Sequence, residues 1–221
     1  MIAVICARSG SKRIKNKNII NFFGKPIISH VIKTAKKSKI FSKIYVSTDA
    51  KKIQRISEKA GATVPYIRKK KYSNDVSTLK DALQDFCKNV NFKDKYVCCI
   101  YSTSVLLEKK NFKDAYKKIK SLDFDLIVGI KEFETSPENA LVVKKNFLSF
   151  DNRKLFFKNN KIKKFTDAGA FFIFNKNRYF KKKYLPKKST YLELSNLQSV
   201  DVNENKDLQL LKCLYKGKKC L

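Results

Sequence analysis

Between residues 8 and 18, RSGSKRIKNKN, cations, hydroxyls and a flexible backbone leave one point of the chain together. Arg8, Lys12, Arg13, Lys15 and Lys17 carry positive charge, Ser9 and Ser11 carry hydroxyls, and Gly10 frees the backbone so that amide N–H groups can converge. Those are the groups a polyphosphate needs. The spacing excludes two common phosphate loops, because there is neither Gly-Lys-Ser/Thr nor G-x-G-x-x-G. A solvated basic turn in a lysine-rich chain has the same composition, so the surrounding elements must decide between the two.

The loop follows residues 2–7, a run of small and β-branched apolar residues with the length of a buried central strand. The turn Gly24-Lys25-Pro26 opens a helix over residues 27–38, whose Ile28, Val31, Ile32 and Ala35 share one face. A strand over 43–48 ends at Asp49, a polar helix covers 50–60, and a third strand covers 61–67 before Arg68. Strands alternating with helices predict a mostly parallel α/β sheet. Ligands in such sheets sit beyond the carboxyl ends of the strands, where the basic loop and residues 47–49 both emerge.

Further along, Asp75 or Ser77 is placed to cap a helix over 79–90. The continuous apolar run 96–104 reads as a central strand that ends in hydroxyls, with Tyr101 either facing a ligand or capping the core. A helix over 111–120 and a strand over 126–130 follow. Residues 140–150 and 153–165 read as two hairpin strands. Asp167 to Ala170 precedes a strand over 171–174; Gly169 admits close approach of a ligand, and Asp-Ala-Gly is as readily a turn. The basic tract 181–188 reads as a solvated loop. Asn203 could cap a terminal helix over 206–215.

With 221 residues and 43% apolar content, the chain suits one domain over residues 1–221 with a full core. No window approaches the roughly 20 apolar residues of a membrane span, and the start lacks a secretory pattern, so a soluble cytoplasmic protein is expected. Cys6, Cys87, Cys98, Cys99, Cys213 and Cys220 contain no C-x-x-C pair and read as reduced thiols. The lone His30 lies on a helix and excludes a multi-histidine metal site. A net charge of +31 raises a nucleic-acid-binding alternative. However, only six of the 50 basic residues are arginine, and the lysines are dispersed along the chain. Such a field equally attracts a nucleotide and a sugar acid.

The segment ARSGSKRIKNKN resembles A-R-x-x-S-K-x-[IL]-x-x-K-N, the opening signature of the sialic acid cytidylyltransferase family of CMP-sugar synthetases. Arg8, Ser11, Lys12, Lys17 and Asn18 match it. RKKKYSNDVST, residues 68–78, resembles the family's R-P-x-x-L-[AS]-x-D-x-[ST] stretch over the cytosine and ribose, with Lys69 in place of proline. Four features resemble the pseudaminic acid branch: Ser11-Lys12-Arg13-Ile14, Cys98-Cys99-Ile100-Tyr101, the segment from Glu132, and Asp167-Ala168-Gly169. Where the family shows D-[IV]-D, this chain has Asp201-Val202-Asn203.

The resemblance implies a Rossmann-like, GT-A-like nucleotidyltransferase fold with a small dimerisation arm over about residues 131–166. It implies a homodimer that uses CTP and an acidic nine-carbon sugar, most closely pseudaminic acid. The products would be CMP-sugar and pyrophosphate, for surface or flagellar glycan synthesis. Sialic, legionaminic or 3-deoxy-octulosonic acid are the alternative substrates. It further implies Arg8, Ser9, Gly10, Ser11, Lys12, Lys17, Asn18, Arg68, Asp75 and Ser77 at CTP, and Tyr101, Thr103, Asp167 and Gly169 at the sugar. Asp201 and Asn203 would hold Mg²⁺, the amide more weakly than a carboxylate. Arg8, Lys12, Lys17 and Asp201 would carry the catalysis.

Overall fold

In a computed structural model of the chain, the structure describes residues 1–144, 147–151, 163–181 and 185–218. The apolar run after Met1 forms β1 (Ile2–Cys6), and its alternate residues supply two separate cores. Ala3 and Ile5 face one side of the sheet while Ile2 and Val4 face the other, as the period of two in a strand requires. After the two-residue strands β2 (Asn21–Phe22) and β3 (Lys25–Pro26), helix α1 (Ile27–Ser38) lays Ile28, Val31, Ile32 and Ala35 on the first side. β4 (Ile44–Ser47) and α2 (Lys51–Lys59) follow.

α3 (Leu79–Asn89) covers the opposite side through Leu83 and Phe86. Next come β5 (Tyr96–Tyr101), α4 (Lys109–Ser121), β6 (Leu126–Glu132) and the hairpin β7 (Leu141–Lys144) with β8 (Phe147–Phe150). β9 (Phe165–Asn175), a one-turn helix Lys176–Tyr179, β10 (Ser189–Glu193) and a C-terminal helix Asn205–Lys218 complete the described chain. The main sheet runs β10-β6-β9-β5-β1-β4. β1 pairs in parallel with β4 and β5, β10 with β6, and only β9 runs antiparallel. The mostly parallel α/β architecture is as the sequence predicts.

Phe112 joins α4 to the sheet: it is fully buried and meets Phe41 and Phe171 edge-on at 5.5 and 5.6 Å. Phe112→Ala is expected to cost about 3–5 kcal/mol, because the ring's burial is lost and a cavity remains. Denaturant unfolding checks this, and a loss under 1 kcal/mol would contradict the packing.

Several local expectations are corrected. Residues 61–67 form no strand; they make only isolated parallel bridges, Thr63 to Tyr45 and Ile67 to Thr48, on either side of Pro65, which has no N–H to donate. Neither Asp75 nor Ser77 caps α3. Thr78 does, in a reciprocal capping box with Asp81. Residues 140–150 are not one strand but the β7–β8 hairpin itself. Its apolar pattern is interrupted by the polar pair Lys145-Asn146.

Residues 167–170 are no turn before a strand, because β9 already contains them as an interior strand between β5 and β6. Residues 201–203 belong to no strand, and side chains of the basic loop, Lys17 and Arg13, take the Val202 carbonyl and the Asn203 amide oxygen. β10, which closes the sheet edge, has no counterpart in the sequence reading. Residues 153–162, part of the tract 181–188 and Cys220 lie outside the described residues.

Candidate active site

The carboxyl ends of β1 and β5 open into a cleft of about 630 Å³. Four stretches far apart in sequence line it. The basic loop contributes Arg8, Ser11, Lys12, Lys17 and Asn18, and the approach to α3 contributes Arg68, Asp75 and Ser77. The end of β5 contributes Tyr101 and Thr103, and the segment before the C-terminal helix contributes Asp201 and Asn203. Ser9 and Gly10 stay outside the lining. The Ser9 amide and hydroxyl instead donate to the two oxygens of Asp49 at 2.8 and 2.9 Å, which pins the loop to the end of β4.

Ile14 sinks into the core, so the loop is anchored at its middle as well as at its ends. Asn18 is buried: its Nδ2 donates to the Arg8 carbonyl at 2.6 Å, and its Oδ1 accepts from the Ser102 hydroxyl. Asn18 therefore shapes the loop from beneath and ties it to β5. Arg68 does the same for the opposite wall. It is buried, with Nη1 donating to the Ser47 carbonyl and hydroxyl at 3.1 Å and Nε to the Ser73 hydroxyl at 2.9 Å.

Across the cleft, Arg8 donates from Nη1 to the Asn74 carbonyl at 2.6 Å and pairs through Nη2 with Asp75 at 3.1 Å. Lys12 meets the other Asp75 oxygen at 2.6 Å. The hydrogen bond and charge of Lys12, aided by Arg8, hold the Asp75 carboxyl below its usual range. Ser77 is 2.6 Å from both the Lys71 carbonyl and Asn74 Oδ1. Lys17 is half-buried and donates to the Val202 carbonyl at 2.7 Å. Burial lowers its pKa, Asp201 opposes that, and Arg13 and Arg8 add to it.

Asp167 and Gly169 lie beside the cleft rather than in its lining. Val128 of β6 pairs with Phe172 and Ile130 with Asp167, so β9 bulges between these pairs. Gly169, at φ +59°, sits in that bulge in the left-handed region. A Cβ there would stand 3.3 Å from the Asp201 side chain. Glycine thus lets the two segments touch. The Gly169 N–H donates to Asp167 at 2.8 Å, while crowding around Asp167 and the Asp201 charge push its carboxyl up. The Tyr101 phenol is also pushed up, first by burial and then by Cys99, Asp167 and Asp201, and stays a donor at neutral pH. Arg13, Tyr72 and Asn74 also line the cleft. Arg13 was legible in the basic run; Asn74 meets Arg8 through its backbone carbonyl, which leaves no signal, while its Oδ1 accepts the Val76 and Ser77 N–H groups in the kind of turn an Asn residue does announce.

Residues 2–220 match the cytidylyltransferase family. The chain belongs to that family. A pseudaminic acid cytidylyltransferase of Campylobacter jejuni subsp. jejuni serotype O:23/36 is 32% identical, over 97% of this chain and 96% of that protein. An N-acylneuraminate cytidylyltransferase of Streptococcus agalactiae serotype V is 31% identical over 93% of this chain and 51% of its own length. A CMP:2-keto-3-deoxy-manno-octonic acid synthetase solved with CTP shares the fold of this cytidylyltransferase, with a TM-score of 0.74 at 13% identity over 98% of both chains.

Members of this family generally use a divalent metal, and the donor set can be tested against one. Among the described residues no group of three or more acidic, histidine or cysteine side chains gathers. Asp201 lines the cleft with Asp167 close to it. Magnesium in nucleotide sites commonly takes one or two carboxylates and completes its shell with phosphate oxygens and water. The cytidylyltransferase site therefore fits a cation that enters with the triphosphate.

The Asp75 carboxylate occupies the two cations nearest the loop's tip, where a triphosphate would compete with it. Asp75→Asn is expected to lower the Kd for CTP by about 2- to 5-fold, the range for removing a solvent-exposed ion pair. Calorimetric titration checks this. A weaker complex would instead assign the carboxylate to the nucleoside.

Proposed function

We propose that this cytidylyltransferase activates a nonulosonic acid, pseudaminic acid, with CTP to give CMP-sugar and pyrophosphate for surface or flagellar glycan synthesis. The observation that carries this reading is the similarity to the pseudaminic acid cytidylyltransferase over 97% of the chain, in a chain whose cleft gathers Arg8, Lys12 and Lys17 with Tyr101, Thr103 and Asp201. In the reaction the anomeric hydroxyl oxygen bonds to the α-phosphorus of CTP. The bond from that phosphorus to the bridging oxygen breaks, and pyrophosphate leaves with the electron pair. Such a transfer needs positioning and charge neutralisation more than covalent help.

Arg8, Lys12 and Lys17 meet the phosphates, and Ser11 adds a hydroxyl at the same wall. Arg68 and Ser77 hold the nucleoside side of the cleft in shape. Tyr101 and Thr103 would meet the sugar, with Asp167 beside the cleft and Gly169 giving the Asp201 side chain room next to it. Asp201 would hold Mg²⁺, which when bound neutralises phosphate charge, and its carboxylate would assist loss of the proton from the sugar hydroxyl. We also read the chain as a cytoplasmic homodimer: Leu141 and Val143 on the β7–β8 hairpin are exposed apolar residues on one strand face, and a partner would cover them. No helix among the described residues is long and apolar enough to cross a membrane.

Pyrophosphate release with CTP and Mg²⁺, offered pseudaminic acid and N-acetylneuraminic acid in parallel, tests the assignment. Release with pseudaminic acid alone is expected. Release with another nonulosonic acid alone would keep the chemistry and overturn the substrate. Failure to bind CTP would return weight to a nucleic-acid-binding protein.

A further inference from the structure

Two side chains of the basic loop reach across 185 and 190 residues of sequence to the same short segment. Lys17 holds the Val202 carbonyl, and Arg13 Nη2 donates to Asn203 Oδ1 at 2.9 Å. The other half of that amide, Asn203 Nδ2, donates to Asp201 Oδ2 at 2.7 Å. Below, the Asp207 carboxylate accepts the backbone N–H groups of Asn203 and Glu204 at 2.8 and 2.7 Å, so the backbone of the segment is fixed as well.

An amide caught between a guanidinium and a carboxylate has one stable orientation. Arginine only donates and an ionised carboxylate only accepts, so the amide oxygen must face Arg13 and the amide nitrogen must face Asp201. Reversing the amide would set oxygen against carboxylate and N–H against guanidinium. A cation, however, needs the amide oxygen. On the side toward Asp201, Asn203 presents N–H groups, which repel a cation.

We infer that Asn203 is not a cation ligand and that Arg13 is a positioning residue, which through Asn203 fixes the Asp201 carboxylate. Oδ2 of Asp201 is then taken by Asn203, and Oδ1 is the oxygen left to a divalent cation arriving with a nucleotide triphosphate. The replacement of the expected second carboxylate at position 203 thus changes the job done there: the side chain orients its neighbour instead of sharing the metal. The inference rests on the reading that Asp201 holds a divalent cation during cytidylyl transfer.

The test is binding of Mn²⁺ to the full-length protein in saturating CTP without sugar, followed by electron paramagnetic resonance, together with Mg²⁺ titrations of pyrophosphate release. Arg13→Ala and Asn203→Ala are each expected to raise the Mn²⁺ Kd by a similar factor, about 10-fold, as the loss of an orienting partner does. The double variant should be no worse than either single one, because both remove the same link. Arg13→Lys should restore most of the affinity, and in Arg13→Ala and Asn203→Ala the Mg²⁺ needed for half-maximal rate should rise by a factor similar to that in the Mn²⁺ Kd.

An Asn203→Asp variant that binds Mn²⁺ about 10-fold more tightly, with Arg13→Ala unchanged, would overturn the inference and make position 203 a ligand. Wild-type Mn²⁺ affinity in Asp201→Asn would overturn the underlying cation reading, and this inference with it. Arg13 is exposed and anchors no core contact, so its variants report on the link rather than on folding.

Discussion

Arg8→Ala is expected to lower kcat/KM for CTP by roughly 30- to 1,000-fold, or about 2–4 kcal/mol of transition-state stabilisation. Arg8 leaves the end of β1, which lies between its parallel neighbours β5 and β4, and its guanidinium is held between the Asn74 carbonyl and Asp75 at the cleft. A planar fork that always carries charge suits a phosphate whose negative charge grows toward the bridging oxygen as pyrophosphate departs. Its backbone carbonyl is held by Asn18, which in turn is tied to Ser102, so the side chain starts from a rigid base. Lys12→Ala should fall within the same range at its lower end, since Lys12 is 79% exposed and loses part of its effect to solvent. Steady-state kinetics with CTP as the varied substrate would check both, and near-wild-type turnover in both would remove the basic loop from the transition state.

Asp201→Asn is expected to abolish turnover at ordinary Mg²⁺ concentrations, a loss of about 100-fold or more, with partial recovery as Mg²⁺ is raised. The substitution keeps the shape of the side chain and removes its charge. The Asp201 carboxylate also contributes to the field that opposes the drop in the Lys17 pKa and to that which raises the Tyr101 and Asp167 pKa values. Neutralising it should therefore let the Asp167 carboxyl and the Tyr101 phenol relax toward their ordinary values. Pyrophosphate release across a Mg²⁺ titration is the direct readout. An unchanged metal dependence would place the cation elsewhere.

Local patterning was sufficient for much of this molecule, because its signals are short-range. The six apolar residues after Met1 read as a buried strand on composition alone. The stripe Ile28, Val31, Ile32, Ala35 marks α1 because a helix returns to the same face every three or four residues, and its ends fall at Ile27 and Ser38 as expected. The basic loop stood out as a candidate for the same reason: its cations and hydroxyls are neighbours in sequence, and most of them line the cleft. Strands alternating with helices then oriented the sheet and placed the loop at the carboxyl ends, where the cleft is found.

Contacts made across long separations were not legible. Nothing near Asn203 announces that Arg13 will turn its amide, and nothing near Asp75 announces that its carboxylate will sit on Arg8 and Lys12. Thr78 outcompeted Ser77 for the cap of α3 because Asp81 lies one turn on, at the spacing a reciprocal box requires. Gly169 became part of a bulged interior strand once β5 and β6 were both available to pair with β9. Residue types and local spacing determine which groups this protein has for chemistry. Which of them face the substrate, and which only hold the others in place, is decided by hydrogen-bond partners that the fold brings together from opposite ends of the chain.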